Sequence, residues 1–223
     1  YLRLKADGRE VKIDDSTCYG HEGERPLQLA EVFGVSYDRA SQEELRRMTD
    51  SFPDPVSRIR RKLLGRKNLS YRESSVNFDP EVLKKEPALL EGCFQSERYF
   101  APVKERVREA YRFQSERLHL PESGLRLEER IEGSSAVSVH VRRGDYLDAS
   151  HGGIYTGSCT QEYYERAMNR IREAVPGAVF YVFSNDVRWA REHFREKDCV
   201  TVEGASEDTG YQDMYLMSLC SHH

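Results

Sequence analysis

Cysteine is scarce and unpatterned in this chain. Its 223 residues contain five: Cys18, Cys93, Cys159, Cys199 and Cys220. Their number is odd, their spacing wide, and no C-x-x-C pair occurs, which argues against both a disulfide framework and a structural zinc site. A reducing compartment fits best, with Cys93 and Cys199, which sit in apolar runs, expected as small core residues. No apolar run approaches the roughly 18 residues a membrane span needs, and no signal-peptide pattern is present. An excess of either charge is also lacking: 34 Lys and Arg stand against 38 Asp and Glu, a net charge of −4. That balance supplies no overall pull toward nucleic acid or an anionic membrane. The one dense basic cluster, Arg58–Lys67 (RIRRKLLGRK), has no interleaved aromatics to stack bases and reads as a solvated helix face. Internal repeats, low-complexity tracts and Asp-x-Asp metal motifs are absent. With 38% hydrophobic and 32% charged residues, the chain has the composition of a folded protein with a heavily charged surface.

Against these absences stands one informative stretch, Ala136–Tyr146 (AVSVHVRRGDY). Val137, Val139 and Val141 alternate with Ser138, His140 and Arg142, the period of a strand. The strand closes on Arg142, Arg143, Gly144 and Asp145. In an α/β sheet, ligands bind in the crevice outside the carboxyl ends of the strands. Arginine is permanently charged and offers planar, bidentate donors, so this pattern reads as a diphosphate site.

Along the chain, Tyr1–Ala6 reads as the tail of a helix stopped by a left-handed Gly8, and Glu10–Asp14 as a short strand. A βα unit is therefore expected to begin before residue 1. Ser41 and Glu44 form a capping box for a helix to about Asp50, and a basic helix follows over Val56–Leu64, ending at Gly65. Asn68–Phe78 is irregular with at most a short strand. Pro87–Phe94 reads as a buried strand and Ala101–Tyr111 as an amphipathic helix. The charged segment Leu120–Arg130, followed by Glu132-Gly133-Ser134-Ser135, marks a domain boundary, with domains at 1–133 and 134–223. Beyond the central strand, Thr160 caps a helix over Gln161–Val175. Pro176-Gly177 turns into a buried strand, Ala178–Phe183, and Ser184-Asn185-Asp186 opens a helix over Val187–Glu196. A strand at Cys199–Glu203 and a helix at Tyr211–Cys220 complete the order. Alternating strands and helices predict a parallel, doubly wound sheet with every strand's carboxyl end on one rim.

The seven residues His140–Tyr146, HVRRGDY, resemble the H-x-R-R-G-D-Y motif of the α-1,2-fucosyltransferases of glycosyltransferase family 11. Three further stretches resemble that family. Gln95–Phe100 (QSERYF) is similar to Q-S-E-K-Y-F, although a packing role is the simpler reading of that corner. Phe183–Trp189 (FSNDVRW) is similar to F-S-D-D-I-x-W, with Asn185 in place of the usual aspartate. Tyr211–His223 is similar to E-D-M-x-L-M-S-x-C-K-H-H. Relatives carry a G-G-L-G-N-Q segment before this region and an N-S-S-F-S-W-W-G loop after it, so the chain is expected to be truncated at both ends, with His222-His223 leading into a strand.

The resemblance implies a GT-B-like fold of two Rossmann-like domains, the second incomplete. It implies transfer of L-fucose from GDP-β-L-fucose to the 2-hydroxyl of a galactose-terminated glycan, with inversion. GDP-fucose is the donor substrate, and no cofactor, metal or nucleic acid is expected. Donor-binding residues carried over by the motifs are His140, Arg142, Arg143, Ser184, Asn185, Asp186 and Asp213. An inverting transfer needs a base near the acceptor hydroxyl and positive charge on the departing diphosphate. Arg142 and Arg143 fit the second role. Asp145 is a candidate base or an arginine's structural partner, with Glu97 and the absent N-terminal segment as alternatives. The expected setting is cytoplasmic, with peripheral association at the inner membrane face. Three other readings stand beside this one: a fucosyltransferase of another linkage, an inert fragment of such an enzyme, and an adhesion module displaying Arg143-Gly144-Asp145.

Overall fold

A computed structural model describes residues 1–16, 27–143, 159–204, 206 and 209–223. They form two compact units, Tyr1–Gln114 and Ser115–His223.

The first unit is mostly short helices: α1 (Leu2–Ala6), α2 (Leu29–Phe33), α3 (Gln42–Thr49) and α4 (Pro55–Leu64). Each stop follows local chemistry. After α1, Gly8 takes φ +78°, and the Gly8 and Arg9 amides return to the Lys5 and Leu4 carbonyls. The capping box of α3 is complete, with Ser41 accepting the Glu44 amide and Glu44 accepting the Ser41 amide. Asp54 caps α4, and Pro55 occupies its first position. The strand expected over Glu10–Asp14 shrinks to a single parallel bridge between Ile13 and Arg39. Ile13 exchanges bonds with Asp38 and Ala40, while the side chain of Lys12 is drawn to Glu10 and Glu44. Strands β1 (Ser70–Arg72) and β2 (Leu89–Glu91) pair in parallel. The Gln95–Phe100 corner is packed as the simpler reading holds. Tyr99 is buried, its ring lies 4.7 Å from Phe78 and 5.5 Å from Phe94, and its hydroxyl accepts the Asp79 amide. Cys93 is exposed rather than in the core, because its amide and that of Phe94 both turn toward the Glu73 carboxylate. The Ala101–Tyr111 stretch is a short 3₁₀ turn followed by α5 (Lys104–Ala110).

The second unit opens with α6 (Ser115–Leu118) and α7 (Glu122–Glu132), ahead of β3 (Ser135–Val141), α8 (Gln161–Ala174), β4 (Ala178–Ser184), α9 (Val187–His193), β5 (Cys199–Thr201) and α10 (Gly210–Leu219). The compact units thus divide at Gln114/Ser115, before the composition shift at Gly133. The charged segment is helix α7, whose backbone carbonyl at Arg130 accepts the buried Tyr181 hydroxyl of β4. Its Glu128 accepts the Tyr215 hydroxyl of α10.

Strands β3, β4 and β5 lie adjacent and parallel in that order, with Val137 opposite Phe180 and Phe180 opposite Cys199. Val137, Val139, Val141, Phe180 and Val182 form one core with Met168 of α8 and Ala190 of α9. Burying a side chain such as Phe180, fully enclosed here, contributes roughly 2–3 kcal/mol. The opposite face, with Ser138, Tyr181 and Phe183, is covered by α7 and α10. Helices on both faces of a parallel sheet give the doubly wound pattern predicted from the element order. Gly177, at φ +75°, makes the tight turn from α8 into β4, and Arg172 of α8 grips Asp198, just before β5, through two bonds of 2.7 and 3.0 Å.

A further pairing completes the topology. His222 bridges Val137 in parallel on the edge of β3 away from β4. The Ser138 amide donates to the His222 carbonyl at 2.9 Å, and the Ser221 amide to Ala136 at 3.0 Å. The spatial order is therefore Ser221–His223, β3, β4, β5, and the direction of winding reverses between β3 and His222.

Candidate functional site

In an open parallel sheet the ligand crevice lies at the carboxyl ends of the strands where the winding reverses. Here that point is the carboxyl end of β3, where Arg142 and Arg143 follow Val141. The backbone turn is fixed from the neighbouring strand: the Arg143 amide donates to Asn185 Oδ1 at 2.8 Å. Beside it, Ser184 is buried and its hydroxyl accepts the Asp186 amide at 3.0 Å.

The two arginines have different surroundings. The Arg143 guanidinium lies 4.1 Å from the Trp189 ring centroid and 3.4 Å from Asp186 Oδ2. Its side chain is 27% exposed, so stacking on Trp189 and pairing with Asp186 hold it in place. Asp186 in turn caps α9, accepting the Trp189 amide at 3.0 Å. Both oxygens of that carboxylate are thereby used within the fold. Arg142 is exposed and follows the face of β3 that carries Ser138 and His140. Loss of hydration at the sheet edge, reinforced by the Arg142 charge, lowers the pKa of His140 from its ordinary value, and Asp213 opposes them. Arg142 and Asp213 thus both act on the charge of His140, while Arg143, Asp186 and Trp189 form a group in direct contact.

Asp213 sits in the first turn of α10, where a carboxylate favours the helix dipole. Gly204 lies between it and β4: a side chain there would begin 3.5 Å from both Asp213 Oδ2 and the Ser184 carbonyl. Next to this rim opens a cleft of about 570 Å³, whose lining includes Arg126, Arg130, Glu203, Gly204, Gln212 and Asp213. Arg126 and Arg130 were not legible as site residues, because they belong to the segment read as a charged boundary. Trp189 was legible only as a motif position, its contact with Arg143 being non-local.

The sequence-predicted residues His140, Arg142, Arg143, Ser184, Asn185, Asp186 and Asp213 thus gather at the carboxyl rim of one sheet. Gly144, Asp145 and Tyr146 lie outside the described residues. Glu97 is exposed in a 3₁₀ turn of the first unit. The rim offers fixed positive charge on a polar surface, and its chemistry suits an anionic group such as a diphosphate.

Comparison with known proteins bears directly on this rim. Residues 81–223 match the profile of Glycosyl transferase family 11. The chain belongs to that family. The matched region takes in the whole second unit and the Gln95–Phe100 corner. Among curated relatives, the chain is 32% identical to an alpha-1,2-colitosyltransferase of Escherichia coli over 137 residues, covering 59% of this chain and 45% of that protein. It is 26% identical to the O-antigen biosynthesis glycosyltransferase WbnK of Escherichia coli over 240 aligned positions, covering 99% of this chain and 78% of that protein. It is 33% identical to galactoside alpha-(1,2)-fucosyltransferase 2 of Mus musculus over 99 residues, covering 42% of this chain and 28% of that protein. The chain thus spans less than half the length of the first and third of these relatives. No solved structure matches.

Proposed function

We propose that the parent of this chain transfers L-fucose from GDP-β-L-fucose to the 2-hydroxyl of a galactose-terminated glycan, with inversion and without a metal ion. The observation that carries the reading is the pair Arg142 and Arg143 at the carboxyl end of β3, beside the reversal of winding, within a family 11 match. The Ser115–His223 unit is the donor-side Rossmann-like domain of a GT-B-like enzyme, and the first unit belongs to the acceptor side.

In the proposed step the bond between the fucose anomeric carbon and the β-phosphate oxygen breaks, and the electron pair leaves with GDP. The galactose O2 bonds to the anomeric carbon from the opposite face and gives up its proton to a carboxylate base, with Asp145 as first candidate and Glu97 as the alternative. Negative charge on the β-phosphate is greatest in the transition state, so preorganised guanidinium groups accelerate the step more than they tighten the ground state. Arg142, on the side of His140 and Asp213, is assigned to the phosphate. Arg143, fixed on Trp189 and Asp186, shapes the rim and adds to its positive field.

A second reading, transfer of colitose by the same chemistry, is favoured by the identity to the colitosyltransferase. Competition between fucosyl and colitosyl donors separates the two. Calorimetric titration of GDP into wild type, Arg142→Ala and Arg143→Ala, with and without EDTA, tests the arginine mechanism. Losing one charge-assisted hydrogen bond costs roughly 1.5–3 kcal/mol, about a ten- to hundredfold loss of affinity. Binding abolished by EDTA, with both variants binding normally, would overturn it.

A further inference from the structure

Helix α4 is built inside out. Its polar side faces the protein: Arg61 donates to the Asp50 and Phe52 carbonyls at 3.0 and 2.8 Å, and Arg60 pairs with the Asp50 carboxylate. Its apolar side faces outward. Val56, Ile59 and Leu63, at helical positions that share one stripe, are 76%, 61% and 76% exposed, and Leu64 at the helix end is 75% exposed. Single exposed apolar residues need no explanation, but a contiguous stripe does.

The same outward face carries charge of one sign. At about 100° per residue, Lys62 lies about 60° and Arg58 about 100° beyond Ile59, on the flank of the stripe away from Arg60 and Arg61. Both are exposed, as are Arg66 and Lys67 just beyond the helix. Residues 55–64 contain four cations and no acid. The basic run alone reads as a solvated face; with its apolar stripe turned to solvent it does not.

We propose that α4 is an interfacial helix that docks this protein on an anionic lipid bilayer, with Val56, Ile59 and Leu63 entering the headgroup–acyl boundary and Arg58, Lys62, Arg66 and Lys67 on the lipid phosphates. A hydrophobic stripe bordered by Lys and Arg is the pattern of helices that lie in the interface plane. Charge decides between occupants. A second copy packed stripe to stripe would offer Arg58 and Lys62 no acid, since residues 55–64 carry none, whereas an anionic surface satisfies them together with the stripe. Among the described residues no helix is long and apolar enough to cross a membrane, so attachment through α4 is peripheral.

The test is cosedimentation of the full chain with phosphatidylcholine vesicles, with or without phosphatidylglycerol. Wild type should bind only the anionic vesicles and release in high salt, since screening shortens the reach of the basic residues. R58Q/K62Q should lower partitioning about 25-fold, at about fivefold per cation near the surface. I59S/L63S should also abolish binding while the far-ultraviolet circular dichroism stays unchanged. All these residues are exposed, and single Leu63→Ser serves if the double variant misfolds. Equal binding to neutral vesicles, no binding to either, or variants that bind like wild type would overturn the proposal. So would a dimer that I59S/L63S dissociates in a protein that ignores vesicles.

Discussion

Asn185 Oδ1 accepts the backbone amide of Arg143 at 2.8 Å, joining the carboxyl ends of β4 and β3. The position holds aspartate in the motif that this segment resembles, and the bond shows what survives the change: the acceptor is kept and the charge is not. The expected outcome is that Asn185→Asp leaves GDP affinity within about twofold, since the acceptor persists. Asn185→Ala removes it and should weaken binding about two- to tenfold, the range of one neutral hydrogen bond. Calorimetric titration of both variants separates these cases, and equal effects would mean that the amide contact does not position Arg143.

The elements read correctly from sequence are those whose signals are local. Ser41, Thr160 and Asp186 each cap the helix that follows by accepting an amide three residues on, and the valines of β3 alternate as a buried strand should. The strand pairings followed from the order of elements. Helix α7 was hidden because its charges dominate: Leu125 is 49% exposed, and only Gly124 and Ile131 are buried. Its place is fixed by Tyr181 and Tyr215, remote in sequence. The two arginines look equivalent as neighbours in a motif. What divides them is Trp189, whose position over Arg143 depends on the packing of α9. The outward stripe of α4 was equally illegible, since a sequence pattern gives the stripe but not the side of the helix that faces the protein.

Asp50 anchors α4 and should make stability depend on acid. It holds a left-handed conformation at φ +51°, and its carboxylate accepts the Lys67 amide at 2.9 Å. That amide, with the Arg60 and Arg61 charges adding and burial opposing, holds its pKa below the ordinary carboxylate value. A carboxyl depressed in the folded state stabilises above its unfolded pKa, about 3.9, and that contribution is lost as pH falls toward the folded value. Asn tolerates the same backbone conformation, so Asp50→Asn isolates the charge. The variant should melt below wild type at neutral pH, and the two melting temperatures should converge below about pH 4. A gap independent of pH would show that the carboxylate's charge is not what matters.

His140 reports whether Arg142 and Asp213 share one face of the rim. Burial at the sheet edge is the largest influence on its imidazole, Arg142 adds to the lowering, and Asp213 acts against both. Its pKa is thus held below the ordinary histidine value, so the ring adds less to the positive charge of the rim than an unperturbed histidine would. Two substitutions should move its titration in opposite directions. Arg142→Ala removes a like charge and should raise the midpoint, while Asp213→Asn removes an opposite charge and should lower it further. Nuclear magnetic resonance of the His140 ring protons across pH 4–8 reads both shifts against an unperturbed value of about 6.5. A purely structural role for either residue would leave the midpoint in place, and the same holds if its side chain points away from β3. Opposite shifts would place Arg142, His140 and Asp213 on one surface at the carboxyl end of β3, where an anionic ligand would meet all three.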